Sequence, residues 1–346
     1  MLRYPPVRWG VLGAADIALK KVLPAMRHSD RSQIVAIASR NLEKARAAAA
    51  ELGIPRAYGS YEELLDDPDI EAVYNPLPNH LHVPWSIRAA KAKKHVLCEK
   101  PIALTAAEAR ELLAARDRAG VQIGEAFMVR THPQWLGVRK LVEENRIGDL
   151  RLIVGHFSYY RRDPNDIRSR ADWGGGALLD IGCYPITLSR WLFNDEPVEV
   201  VGQIERDPEM GIDRLVSALL RFPNGQASFT CGGQLVPYQR MHIFGTTARV
   251  EVEIPFNAPP DRACRVFVDD GSKYAGESAE TMTFPVVDQY TLQADSFADA
   301  VRGVGPVPVS VEDAVANMAV IDALFRSAES RSWERPEDRP MLGVEF

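Results

Sequence analysis

The sequence predicts an α/β protein. A doubly wound parallel sheet at the amino-terminal end is followed by an α+β part with a large, mostly antiparallel open sheet. Three observations carry this reading. The chain has 346 residues, more than one ordinary core organises, so two domains are expected. Up to residue 127, short apolar runs alternate with helical patterns, as in a parallel sheet covered on both faces. From residue 128 to residue 346, strand-like runs follow one another across turn signals, as in an antiparallel sheet with helices on one face.

Element by element, Val7–Leu12 reads as a first strand running into Gly13, and Ile17–Met26 as a helix. Ile34–Ser39 is apolar enough for a buried strand, and Leu42–Leu52 is alanine-rich and helical. Ser60–Leu65 and the helix opening at Thr105 each carry a capping box, Ser60 with Glu63 and Thr105 with Glu108. Between them lie a strand at Glu71–Tyr74, a helix at His82–Lys91 and a strand at His95–Cys98; Val121–Ala126 is the next strand. In the second part, Pro133–Glu144 and Tyr184–Leu192 read as helices and Leu150–Tyr160 as a long strand. Strands follow at Val198–Ile204, Leu215–Phe222, Gln226–Cys231, Met241–Phe244, Arg249–Ile254 and Arg265–Val268, with a hairpin turn at Pro223-Asn224-Gly225. Helices return at Leu292–Val301 and Val311–Ser327.

Composition excludes some functions. A net charge of −6 argues against nucleic acid as a partner. No apolar run is long enough to span a bilayer, and the first residues lack the apolar core of a signal peptide. The four cysteines form no Cys-x-x-Cys pair, so free thiols in a reducing cytoplasm are expected. His80 and His82 do not have the i, i+4 spacing of a helical zinc motif, and no metal is expected.

Gly13-Ala14-Ala15-Asp16-Ile17-Ala18 stands between the first strand and the first helix, the place of a dinucleotide fingerprint. Only the first glycine is kept, but alanine at the other two positions still permits close approach of backbone to pyrophosphate. An NAD site usually ends its second strand in Asp or Glu. This chain has Ser39-Arg40 there and Lys44 a turn later, which suits the 2′-phosphate of NADP. Glu99-Lys100-Pro101 ends another strand, so Lys100 is expected on the ligand edge of the sheet. Taken singly, each of these also reads as a structural turn or a solvated side chain.

Together with Asn75-Pro76-Leu77-Pro78-Asn79-His80-Leu81-His82 and Gly174-Gly175-Gly176-Ala177-Leu178-Leu179-Asp180-Ile181-Gly182-Cys183-Tyr184, these motifs resemble the Gfo/Idh/MocA oxidoreductases over nearly the whole chain. The resemblance implies a Rossmann domain, with Lys100 and Asp180 in the active site. Tyr184 stands where many members have histidine, which points to the branch of glucose–fructose and aldose–aldose oxidoreductases, xylose dehydrogenase and dimeric dihydrodiol dehydrogenase. In that reading Tyr184 moves a proton, Lys100 tunes it, and Asp180 holds Lys100 charged and anchors a sugar hydroxyl. Asp180 is equally placed to be a helix N-cap. Cofactor contacts are expected from Gly13, Ala14, Ala15, Asp16, Ile17, Ser39, Arg40, Lys44, Pro76, Leu77, Asn79, His82, Glu99, Lys100 and Trp173. Substrate contacts are expected from Lys100, Tyr159, Trp173, Asp180 and Tyr184, with Tyr160, Arg161, Arg162 and His132 as further candidates. The expected reaction is NADP-dependent oxidation of an aldose at C1, with a second sugar as a conceivable acceptor. The alternatives are a keto-sugar or dihydrodiol oxidoreductase and, more remotely, a non-catalytic NADP-binding regulator. A homodimer or tetramer through the uncovered face of the second sheet is expected.

Overall fold

The computed structural model describes residues 4–337. It divides into two compact units, neither continuous in sequence. One runs through His132 and takes back Pro259–Asp261 and Val287–Ala314; the other holds Pro133–Ala258, Arg262–Val286 and the chain from Val315.

The first unit contains strand β1 (Val7–Leu12), a π turn (Ala18–Val22) running into α1 (Leu23–Met26), β2 (Ser32–Ala38) and α2 (Leu42–Leu52). Then come β3 (Arg56–Tyr58), α3 (Tyr61–Asp66), β4 (Ala72–Asn75), α4 (His82–Lys91), β5 (His95–Glu99), α5 (Ala106–Ala119) and β6 (Ile123–Ala126). The strands form one parallel sheet in the order β3-β2-β1-β4-β5-β6. The cap half of each box forms, with Ser60 accepting from the Glu63 N–H and Thr105 from the Glu108 N–H, each at 3.2 Å, while Glu63 and Glu108 accept instead from the Gly59 and Leu104 N–H groups, one residue before the cap. The helix expected at Ile17–Met26 is present but widened by its π turn. Short β3 carried no alternation by which a strand could be recognised.

The second unit contains α6 (Pro133–Glu143), β7 (Leu150–Tyr160), a π turn (Leu178–Gly182) running into α7 (Cys183–Phe193), β8 (Glu199–Arg206), β9 (Asp213–Phe222) and β10 (Gly225–Gly232). It continues with β11 (Gln234–Gly245), β12 (Arg249–Val252), β13 (Cys264–Asp269) and β14 (Glu280–Phe284). The strand order is β14-β13-β12-β11-β7-β10-β9-β8, antiparallel except for the β10–β7 pair. One face is buried along rows such as Val200–Leu220–Ala227–Ile153–Ile243–Val250. The next row over, Val201–Leu219–Ser228–Val154–His242–Glu251, is only half-buried. Strand β14, mostly exposed, gave no sequence signal.

Two helices close the order. Helix α8 (Gln289–Val301) belongs to the first unit, where Phe297 packs on Trp9 with ring centroids 5.6 Å apart. Helix α9 (Val311–Ser330) begins in the first unit, and its later part lies on the buried face of the second sheet, with Leu324 against Gly202. Among the described residues, no helix is long and apolar enough to cross a membrane, and all four cysteines are buried free thiols.

Candidate active site

Gly13 ends β1 at φ +96°, and a Cβ there would stand 2.9 Å from Leu77 Cδ2. Glycine is therefore needed both for the turn and for the loop beside it. Its N–H donates to Ala38 O at 2.9 Å, tying the turn to the end of β2. Ala14 is buried, Ala15 accepts from the Leu19 N–H, and Ile17 is half-buried. Ala18, at the third glycine's position, is fully buried in the core. The Asp16 carboxylate is exposed and pairs with Lys20 at 2.7 Å. A helix opening directly after a glycine turn at a strand end is the arrangement that receives pyrophosphate, and the small residues fit that role.

At the end of β2, buried Ser39 accepts from the Asn41 N–H (3.2 Å), and Asn41 caps α2 by accepting from Lys44 N–H (3.1 Å). Arg40 is exposed, and its charge acts on the Tyr61 hydroxyl. Burial pushes the Tyr61 pKa up, and Arg40 pulls against it. The Tyr61 hydroxyl also lies 3.6 Å from where a Gly13 Cβ would be. Tyr61 therefore stands beside the Gly13 turn and feels the Arg40 charge, and no sequence motif marked it.

Lys100 is held by its backbone neighbours. Glu99 Oε1 accepts from the buried Tyr74 hydroxyl at 2.6 Å, and Glu99 Oε2 from the Lys100 N–H at 3.3 Å. Burial first, and the Glu99 charge second, push the Tyr74 pKa well up and that of Tyr290 on α8 up. The Lys100–Pro101 peptide is cis. His82 is buried, with Nδ1 2.8 Å from Pro101 O and Nε2 2.6 Å from Leu77 O. Its ring thus ties the loop of Pro76, Leu77 and Asn79 to the Lys100 turn, with both nitrogens facing protein carbonyls. Burial drives its pKa down to about 4, overcoming two carbonyls that favour the cation. On the far side of the turn, Ile102 N–H donates to buried Glu125 at 2.7 Å.

In the second unit, Asp180 and Tyr184 lie one turn apart, across the junction of the π turn and α7. Asp180 is inside the helix. The capping acceptor is instead Asp213 on β9, which takes the Leu178 N–H at 2.6 Å. Burial pushes the Asp213 pKa up to about 6 against the pull of backbone N–H donors. Asp180 Oδ2 accepts from the Tyr159 hydroxyl at 2.7 Å and from Arg168 Nε at 2.9 Å. Burial and the Asp180 charge push the Tyr159 pKa upward, so Tyr159 is a hydrogen-bond donor rather than a base. The Tyr184 ring is buried edge-on to Phe157 (5.8 Å) and beside Phe256 (5.4 Å).

The triple glycine has a packing reason. A Cβ on Gly175 would come within 2.5 Å of Arg168 O, and one on Gly176, at φ +118°, would overlap the Asp213 carboxylate. Trp173 lies under the Arg170 guanidinium, 4.6 Å from its ring centroid. Among the further candidates, Tyr160 is exposed, Arg161 pairs with Asp166, and Arg162 pairs with Glu209 at 2.9 Å. His132 belongs to the first unit and is buried, its pKa pushed down to about 4.

Residues 7–127 match the GFO_IDH_MocA model, an oxidoreductase family with an NAD-binding Rossmann fold, and residues 135–251 match the GFO/IDH/MocA C-terminal domain. The chain is 49% identical over 329 residues to uncharacterized oxidoreductase ORF334 of Rhizobium meliloti, covering 95% of this chain and 98% of that one. It is 37% identical over 326 residues to D-xylose 1-dehydrogenase (NADP(+)) 2 of Haloferax volcanii, covering 93% and 97%. It is also similar to the crystal structure of KijD10, a 3-ketoreductase from Actinomadura kijaniata, in complex with NADP and TDP-benzene. There the TM-score is 0.85 at 32% identity, covering 93% of this chain and 98% of that chain. With a parallel sheet carrying a glycine turn and a Glu-Lys-Pro strand end, and a second sheet carrying the Asp180–Tyr184 helix, the chain belongs to the Gfo/Idh/MocA oxidoreductase family.

Proposed function

We propose that the protein is an NADP-dependent sugar oxidoreductase acting at C1 of an aldose. The observation that carries this reading is the helix start that sets Asp180 and Tyr184 one turn apart, with Tyr159 and Arg168 both on Asp180, in a chain that also keeps Lys100 at a strand end. The Gly13 turn, with Arg40 and Tyr61 beside it, would hold NADP, which when bound supplies the hydride acceptor. Oxidation of a cyclic aldose to a lactone removes hydride from C1 and a proton from its hydroxyl. Tyr184, reacting as phenolate, takes that proton and becomes the neutral phenol, and the Lys100 ammonium stabilises the charge developing on the oxygen. Asp180 anchors a neighbouring hydroxyl, and Tyr159 donates alongside it. Likeness to a xylose dehydrogenase supports the aldose reading.

The test is reduction of NADP by a panel of aldoses. Lys100→Met and Tyr184→Phe should each lower turnover on the order of a thousandfold with NADP binding intact. Near-normal rates in both variants overturn the assignment. Likeness to a 3-ketoreductase favours a second reading, reduction of a keto-sugar, which NADPH oxidation by keto-sugars but no turnover of aldoses would establish.

The half-buried rows of the second sheet support a homodimer. Val154, Leu219 and Phe244 stand on that face among Ser217, Thr230 and His242. Val154→Asp should yield monomers in sedimentation analysis.

A further inference from the structure

The segment before the triple glycine carries Arg168, which no motif singles out. Three restraints fix it. Its N–H donates to Asp166 Oδ1 at 2.9 Å, its carbonyl accepts from the Gly176 N–H at 3.0 Å, and its Nε donates to Asp180 Oδ2 at 2.9 Å. Gly175 leaves room for the same carbonyl. The backbone that presents Asp180 and the backbone that presents Arg168 are therefore bonded to each other, and the guanidinium closes the loop between them. A charge-assisted bond of this kind is shorter and stronger than a neutral one. Its side chain keeps 40% exposure while that of Asp180 keeps 13%, and the attraction of the carboxylate outweighs the desolvation of the cation, so the Arg168 pKa is pushed up.

We propose that Arg168 is a positioning residue for the reaction: it keeps Asp180 ionised and in a single orientation, so that Asp180 meets the substrate as a fixed acceptor and directs the Tyr159 hydroxyl. The inference rests on the reading that Asp180 belongs to the catalytic group. Within the second unit, the titratable and charged groups around Asp180 include Tyr159 on β7, Tyr184 one turn on, Arg168 with Asp166 and Arg161 behind it, and Cys183, Cys231 and Asp213. Arg168 is a cation in direct contact with Asp180. Removing it favours the protonated carboxyl, so activity that needs the carboxylate fails at a higher pH.

The experiment is steady-state kinetics against pH for Arg168→Met, Arg168→Lys and Asp180→Asn, with NADP affinity measured separately. Arg168→Met should lose roughly ten- to a hundredfold in kcat/KM, the size of one charge-assisted hydrogen bond. Its acid limb should move to higher pH, and Arg168→Lys should restore much of both. NADP affinity should not change. An Arg168→Met enzyme with an unshifted acid limb overturns the inference, and so does a loss in Arg168→Lys equal to that in Arg168→Met. Asp180→Asn separates the two readings. Full activity there overturns the placement of Asp180 in the catalytic group and the inference with it. A dead Asp180→Asn beside a normal Arg168→Met overturns the inference alone.

Discussion

Arg40 illustrates what single residues decide. It is exposed at the end of β2, with its charge acting on the Tyr61 hydroxyl, in a place where an acidic residue would repel a 2′-phosphate. Arg40→Asp should weaken NADP binding by at least ~1.5 kcal/mol more than NAD binding, the worth of a hydrogen bond to a charged group. Titration of each cofactor against the variant checks this, and equal losses for both would contradict the role. Arg40 was legible because its position follows from the strand end. Tyr61 was not, since it reaches the site only through the fold of α3. Glu99 had a place in the sequence but no partner there. Its partner is Tyr74, on the neighbouring strand, so that half of the Glu-Lys-Pro motif holds the strand ends together.

At the scale of elements, the two helices that open the candidate sites share a device. The helix after Gly13 and the helix bearing Asp180 each contain a π turn, which inserts extra backbone and re-aims the side chains beside it. The second of these is capped from β9 by Asp213, with Gly176 leaving space for the carboxylate. Gly176→Ala should destabilise the protein by about 3 kcal/mol, combining a φ that L residues rarely adopt with displacement of a buried acceptor. Asp213→Asn keeps an acceptor and removes a buried charge, so it should cost under about 1 kcal/mol. Urea unfolding of both variants checks the contrast, and equal costs would refute the capping role. The caps at Ser60 and Thr105 were legible because both partners lie within one turn. Asp213 was not, because nothing local connects it to Leu178. Strands β3 and β14 escaped for a related reason: they gain stability from a neighbour in the sheet more than from any pattern of their own.

For the whole molecule, buried titratable groups set the response to acid. His82 and His132 bind protons only at about 4, against 6.5 for an exposed ring. Between those values the unfolded chain takes up protons that the folded chain refuses, so stability falls as pH drops from 6.5 to 4, by up to about 3 kcal/mol per ring. Asp213 acts in the opposite sense. Its pKa is raised from 3.8 to about 6, so over that interval the folded chain binds the proton and gains as pH falls. Two rings outweigh one carboxyl. Unfolding midpoints across this range should slope downward toward acid, and the slope should flatten in a His82→Gln, His132→Gln double variant. An unchanged slope would exclude these rings as its source. The fold carries one more consequence, for synthesis. Phe297 lies on Trp9, and Ser310 bridges Gly124 on β6, so the first unit is completed by residues translated after most of the second. Its sheet must wait with a bare apolar face while the second unit is made, which makes the nascent chain a natural client of chaperones and amino-terminal fragments prone to aggregation.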